Sequence, residues 1–158
     1  MSKFVEERQH VSQDGGRSRS ARVGGVMTIL AMALVVYGTY GDSQASDSQK
    51  SGMPSVLVGV VVVALIVFGL LAPAAIKAVE AGRPSGTRWA VGLGIASVVS
   101  LVAFWSGLPL LLGGAAALIA KVGREQTGGS KAFSWAWGLG LLAAVAAIAV
   151  TIIGNTLH

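Results

Sequence analysis

The chain has 158 residues, of which 53% are hydrophobic and only 12% are charged. A soluble domain carries about 25% charged residues, and each of its surface helices needs a polar outer face. The long uncharged runs of this sequence cannot supply such faces. The composition therefore excludes an ordinary water-soluble globule and indicates an all-α, polytopic transmembrane helix bundle.

Residues that carry chemistry are scarce. Cysteine is absent, which removes thiolate metal sites and cysteine nucleophiles, and histidine occurs only as His10 and His158. The apolar runs contain no ionisable residue of the kind that ion-coupled machines keep inside the membrane. We therefore predict no catalytic residue, no cofactor and no metal site, and we expect the chain not to be an enzyme.

The N-terminal part of the sequence is a polar, basic tail followed by an apolar run. We predict that residues 1–22 form a disordered basic cytoplasmic tail. Residues 23–158 then form the transmembrane bundle, with a first span at about 23–40. An alternative is a signal peptide cleaved after the small residues at 43–45, although its apolar stretch of 18 residues exceeds the usual length of about 7–15.

The remaining apolar runs predict four further helices. One helix each fits residues 54–76, which Pro73 is expected to kink, and residues 133–156. The run 89–120 has 32 residues, and a single helix of about 48 Å would be too long for one crossing. Gly107 and Pro109 favour a turn, so we predict two short helices at about 88–105 and 109–122.

The basic residues predict the topology. Eleven of the twelve lie in the N-terminal tail and in the segments 77–88 and 121–131, and basic residues cluster in cytoplasmic loops. Two cytoplasmic segments must be separated by an even number of crossings. We therefore expect five spans, with the N-terminus inside and the C-terminus outside, and we expect no nucleic-acid partner. The predicted topology and interface anchors are Arg22, Lys77, Arg88, Trp89, Lys121, Arg124, Lys131, Trp135 and Trp137.

A short motif recurs in the second half of the chain. Residues 89–94 (WAVGLG) return as 135–140 (WAWGLG), shifted by 46 residues. A tandem two-helix repeat, 54–105 and 109–156, is one explanation, and such repeats are common in transporters. The other explanation is convergent composition at the starts of two membrane helices.

Small residues recur at helical spacing, which lets helix backbones approach closely in lipid. The predicted packing faces contain Ala90, Gly94, Ala96, Ser100, Gly113, Ala117, Ala136, Gly140 and Ala144. These faces serve either packing within the chain or docking against other membrane subunits or a second copy. The expected partners are thus the lipid bilayer and further membrane proteins.

The segment 88–154 resembles small multi-pass membrane proteins of unknown function from actinobacteria. It shares their Gly/Ala-rich helices, the Gly107–Pro109 turn and a basic loop at 121–131. The resemblance implies a bacterial plasma membrane but no activity. Our first hypothesis is a non-catalytic accessory or scaffold subunit of a larger membrane assembly, and the alternative is a small transporter or channel built on the repeat.

Overall fold

The structure is a computed structural model that describes the backbone of residues 2–40 and 46–156, with the side chains of 18–40, 46–48, 50–103 and 106–154. This part of the chain is helical and contains no strand. The helices are α1 (Ser2–Tyr40), α2 (Asp47–Ala64), α3 (Ala72–Glu80), α4 (Pro84–Val99), α5 (Leu108–Thr127) and α6 (Lys131–Thr156). A π-helical segment, Leu65–Leu71, joins α2 to α3, and a 3₁₀ segment, Ser100–Ser106, follows α4.

Four helical segments in the described residues are long and apolar enough to cross a membrane. They are Ser18–Tyr40, Lys50–Glu80, Pro84–Ala103 and Lys131–Gly154. The structure thus confirms the all-helical fold class and has four helices of membrane-spanning length and composition. Helix α5 is not among them.

The disordered tail that composition suggests for residues 1–22 stays a prediction. The structure has a helical backbone from Ser2 onward, where α1 begins. Good helix formers such as Glu6, Glu7 and Arg8 favour this extension. Residues 18–22 are also fixed by tertiary contacts, described below. The alternative cleavage site at 43–45 lies outside the described residues.

Pro73 is expected to kink the second span, and the backbone there changes its hydrogen-bond register. In the π-helical segment the amide of Ala72 donates to the carbonyl oxygen of Val67, five residues earlier. A π-helical turn admits one extra residue into the helix. The helix therefore continues into α3 past a proline that has no N–H to donate.

The run 89–120 is broken at Gly107. The 3₁₀ segment ends at Ser106, Gly107 has a left-handed φ of 70°, and α5 begins at Leu108 with Pro109 in its first turn. Helices α4 and α5 pack against each other on either side of this turn. The turn lies where Gly107 and Pro109 favour it.

Helix α5 is the centre of the bundle. It contacts α1, α3, α4 and α6, and most of its residues between Pro109 and Gly123 are buried. Gly113 lies against Gly140 and Gly123 lies against Phe133, so α5 and α6 are antiparallel. Gly114 lies against Met27, so α1 also packs on α5. The hydrophobic core is continuous through these helices.

Candidate functional site

The small residues of α5 and α6 form a close helix contact. A Cβ built on Gly113 would lie 2.5 Å from the carbonyl oxygen of Gly140, and one built on Gly140 would lie 2.5 Å from that of Gly113. The same Cβ on Gly140 would lie 3.2 Å from the backbone nitrogen of Ala117. Backbone therefore meets backbone here, as in other small-residue helix contacts.

The other predicted packing residues divide between the bundle interior and its surface. Ala90, Gly94 and Ala136 are buried. A Cβ on Gly94 would lie 3.4 Å from the carbonyl oxygen of Ala136, so these two residues join α4 to α6. Ala144 and Ser100 are half-buried. Ala96 is also half-buried, but it lines an outer groove of α4.

The predicted anchors are all exposed, both the basic residues and the tryptophans. The guanidinium carbon of Arg124 lies 5.4 Å from the ring centroid of Trp137, within the range of a cation–π contact. The structure therefore leaves all nine anchors free of the protein core. The set is Arg22, Lys77, Arg88, Trp89, Lys121, Arg124, Lys131, Trp135 and Trp137.

The shift of 46 residues that relates the two tryptophan motifs also relates the ends of two helices. A glycine in the left-handed region follows the end of both α3 and α5, Gly82 with φ 64° and Gly128 with φ 66°. The amide of Arg83 donates to the Ala78 carbonyl (2.9 Å), and the amide of Gly129 donates to the Arg124 carbonyl (3.1 Å). Both bonds close the same type of helix cap, and their residues are 46 apart.

The outer faces of α4 and α6 carry two grooves at corresponding positions. One has a volume of about 450 Å³ and the other about 390 Å³. Gly92 lines the first and Gly138 the second, and a Cβ on either glycine would meet nothing within 4 Å. Trp89 and Trp135 flank the two glycines. These faces present small residues that no part of the described chain covers.

Three of the polar side chains inside the helices are bonded locally. The hydroxyl of Ser97 donates to the Gly94 carbonyl at 2.7 Å, that of Ser100 to the Ser97 carbonyl at 2.8 Å, and that of Thr151 to the Ala147 carbonyl at 2.9 Å. None of these residues lines the grooves described here. In the described residues, no buried side-chain nitrogen or oxygen lacks a partner, and no three His, Asp or Glu residues cluster.

One buried serine bonds between helices. The hydroxyl of Ser20 donates to the carbonyl oxygen of Phe68 at 2.7 Å, and Ser20 is fully buried. The amide of Ala72 donates to the carbonyl oxygen of Val67 in the π-helical segment, and the next residue, Pro73, has no N–H. The Phe68 carbonyl therefore depends on α1 for its donor. Sequence reasoning missed this contact, because it joins residues 48 apart.

A third groove lies between α1, α5 and α6 and has a volume of about 460 Å³. Its lining includes the basic residues Arg19, Arg22 and Lys121, together with apolar residues of α1 and α5. Arg19 lies 3.8 Å from the carboxylate of Glu125. Sequence reasoning assigned these cations to topology alone, since only the packing of α1 on α5 brings them together.

Comparison with known proteins adds no relative. No protein-family model, curated protein or solved structure matches the chain.

Proposed function

We propose that this chain is a non-catalytic integral membrane protein that serves as an accessory or scaffold subunit of a larger membrane assembly. The setting that we propose is a bacterial plasma membrane, as the resemblance of segment 88–154 implies. Between Trp89 and Ala120, and again between Ala132 and Gly154, the sequence has no Asp, Glu, Lys or Arg. Apolar helices with locally bonded hydroxyls suit packing against other helices better than ion coupling.

The observation that carries this proposal is the pair of uncovered grooves on α4 and α6. A glycine in a helix costs about 1 kcal/mol relative to alanine. At Gly92 and Gly138, which line the two grooves, a Cβ would meet nothing within 4 Å, so no neighbour in the described chain requires a glycine there. A partner helix seated over these glycines would offset that cost, because small residues let backbones approach closely in lipid. The seam between α5 and α6 uses glycine in this way within the chain.

The test is affinity purification of the full chain from its native membranes in mild detergent. We expect a stoichiometric membrane partner, or a second copy of the chain, which Gly92→Leu and Gly138→Leu each displace. Gly59→Leu is the matched control, since a Cβ there also meets nothing within 4 Å but the residue lies on α2. A chain that purifies alone, or a partner that all three variants retain equally, would contradict the proposal.

The proposed topology has five crossings, with the N-terminus inside and the C-terminus outside. Helix α5 is the proposed crossing that is not recognised from composition as a membrane span, because Lys121, Arg124 and Glu125 lie in its last two turns. These three charged residues are exposed, so in the proposed topology they lie at the headgroup level and the apolar part of α5 is residues 108–120, about 20 Å long. Because the hydrocarbon core is about 30 Å thick, the proposed crossing requires local thinning of the bilayer or extension of the Lys121 and Arg124 side chains to the headgroups.

The second candidate is a small transporter or channel built on the tandem repeat. The equivalent helix caps at Gly82 and Gly128 favour it, because transporters commonly contain internal repeats. Ser97, Ser100 and Thr151 count against it, since each bonds within its own helix. Solute flux in proteoliposomes that contain the purified chain alone would favour this candidate over the first.

A further inference from the structure

The groove between α1, α5 and α6 combines two kinds of surface. Met27 and Val23 of α1 and Leu118 of α5 belong to its apolar floor. Its rim is basic, with Arg19 and Arg22 one helical turn apart on α1 and Lys121 opposite them on α5. A ligand that fills this groove needs an apolar part next to an anionic part.

The positive charge of the rim is largely uncompensated. Glu125 is the carboxylate in the lining, against three cations. Its contact with Arg19 is long, at 3.8 Å, and the two side chains are 53% and 66% exposed, so water and salt screen the pair. Arg22 and Lys121 make no ion pair within the described part of the chain. The rim therefore retains charge for an external anion.

The aromatic residue of the groove indicates its depth in a membrane. Trp137 lines the groove beside Lys121 and is partly exposed. Tryptophan prefers the interface between lipid headgroups and acyl chains. A rim at this level lies where phospholipid phosphates are, and a floor one or two turns deeper lies among the upper acyl-chain carbons.

We propose that this groove binds an anionic phospholipid, with its phosphate on the basic rim and the start of an acyl chain on the apolar floor. Basic pockets between transmembrane helices on the cytoplasmic side bind such headgroups in general. A volume of about 460 Å³ accommodates a headgroup and a short length of chain. A free phosphate would use only the rim and leave the floor uncovered.

The experiment is native mass spectrometry of the full chain in detergent, titrated with phosphatidylglycerol or phosphatidylcholine. We expect preferential binding of phosphatidylglycerol. Each cation near a lipid surface contributes about five-fold in affinity. The variant Arg19→Gln/Arg22→Gln/Lys121→Gln should therefore bind phosphatidylglycerol at least about ten-fold more weakly and phosphatidylcholine as before. Arg22→Gln alone should show about a five-fold loss, in case the triple variant is unstable.

The matched control is Lys77→Gln/Arg83→Gln/Lys131→Gln, which removes the same charge from exposed residues outside the groove. It should keep the wild-type affinity for phosphatidylglycerol. An equal loss in the control, or no loss in the groove variant, would overturn the proposal. Displacement of the lipid by inorganic phosphate, beyond that caused by chloride at equal ionic strength, would identify a free-anion site and overturn it as well.

Discussion

At the scale of single residues, the seam between α5 and α6 depends on two glycines. Gly113 and Gly140 each face the other's carbonyl oxygen, and a methyl group at either position would meet backbone at 2.5 Å. Backbone atoms cannot move aside as the end of a flexible side chain can. The separation of α5 and α6 is therefore set by the absence of side chains at these two positions.

We expect Gly140→Ala to lower the free energy of unfolding by about 1–3 kcal/mol, the usual cost of overpacking a core. Gly138→Ala on the same helix is the control. Its Cβ would meet nothing within 4 Å, so the better helix propensity of alanine should leave stability unchanged or slightly raised. Unfolding of both variants in mixed detergent micelles measures the difference. Equal destabilisation by the two substitutions would refute the close contact.

Ser20 and Ser97 are both fully buried, but their hydroxyls serve different acceptors. Ser20 bonds across to the Phe68 carbonyl on another helix, whereas Ser97 bonds to Gly94 on its own helix. Ser20→Ala should cost about 1 kcal/mol, since it leaves a buried acceptor without a donor. Ser97→Ala should cost less, since a backbone amide of the same helix still donates to the Gly94 carbonyl. The same unfolding assay compares them, and a larger loss for Ser97→Ala would contradict this assignment.

At the scale of elements, the π-helical segment and Ser20 belong to one hydrogen-bond network. Pro73 removes a backbone donor, the π-helical register assigns the Ala72 amide to Val67, and α1 supplies the hydroxyl that Phe68 then needs. The hydrogen bond to the buried Phe68 carbonyl thereby holds α1 against this part of the bundle. This arrangement explains why α1 is fixed to the bundle at Ser20, within the segment whose composition suggests disorder.

The double variant Ser20→Ala/Pro73→Ala tests this coupling. Alanine at position 73 restores an N–H, which can donate to Phe68 five residues earlier or to Gly69 in a regular α-helix. We expect Ser20→Ala to cost at least about 0.5 kcal/mol less in the Pro73→Ala background than in the wild type, which is the size of coupling that residues in one hydrogen-bond network show. A double-mutant cycle on unfolding free energies gives this coupling, and strict additivity would show that the two residues act separately.

The sequence indicates the local elements well because their signals are local. Gly107 and Pro109 mark the break between α4 and α5, and the apolar runs mark the helices of spanning length. Contacts between distant residues carry no such signal. The Ser20–Phe68 bond and the groove of Arg19 and Lys121 arise only when α1 packs on α5. The shift of 46 was visible in the sequence, and extending it back to Gly82 and Gly128 would have indicated the matching helix caps.

At the scale of the whole molecule, α5 has the composition of an internal helix. Its central residues Leu111, Ala115 and Ile119 are fully buried, and its C-terminal end contains Lys121 and Arg124. The outer helices supply the surface suited to lipid, with exposed residues such as Leu70, Val99 and Val102. The bundle thus has a close-packed interior of aliphatic and small residues and an apolar exterior, as expected where packing drives helix association in a membrane.

The proposed five crossings place residues 83 and 130 on one side of the membrane and residue 48 on the other. The chain has no cysteine, so Arg83→Cys, Ser130→Cys and Ser48→Cys each give one labelling site on an exposed or half-buried position. In intact cells, a membrane-impermeant maleimide should label only the variant at position 48, and all three should react after permeabilisation. If α5 does not cross, positions 83 and 130 lie on opposite sides and one of them becomes labelled in intact cells. The basic segments 77–88 and 121–131 would then be separated by a single crossing and lie on opposite sides of the membrane. That outcome would contradict the five-span topology, which assumes that both basic segments are cytoplasmic.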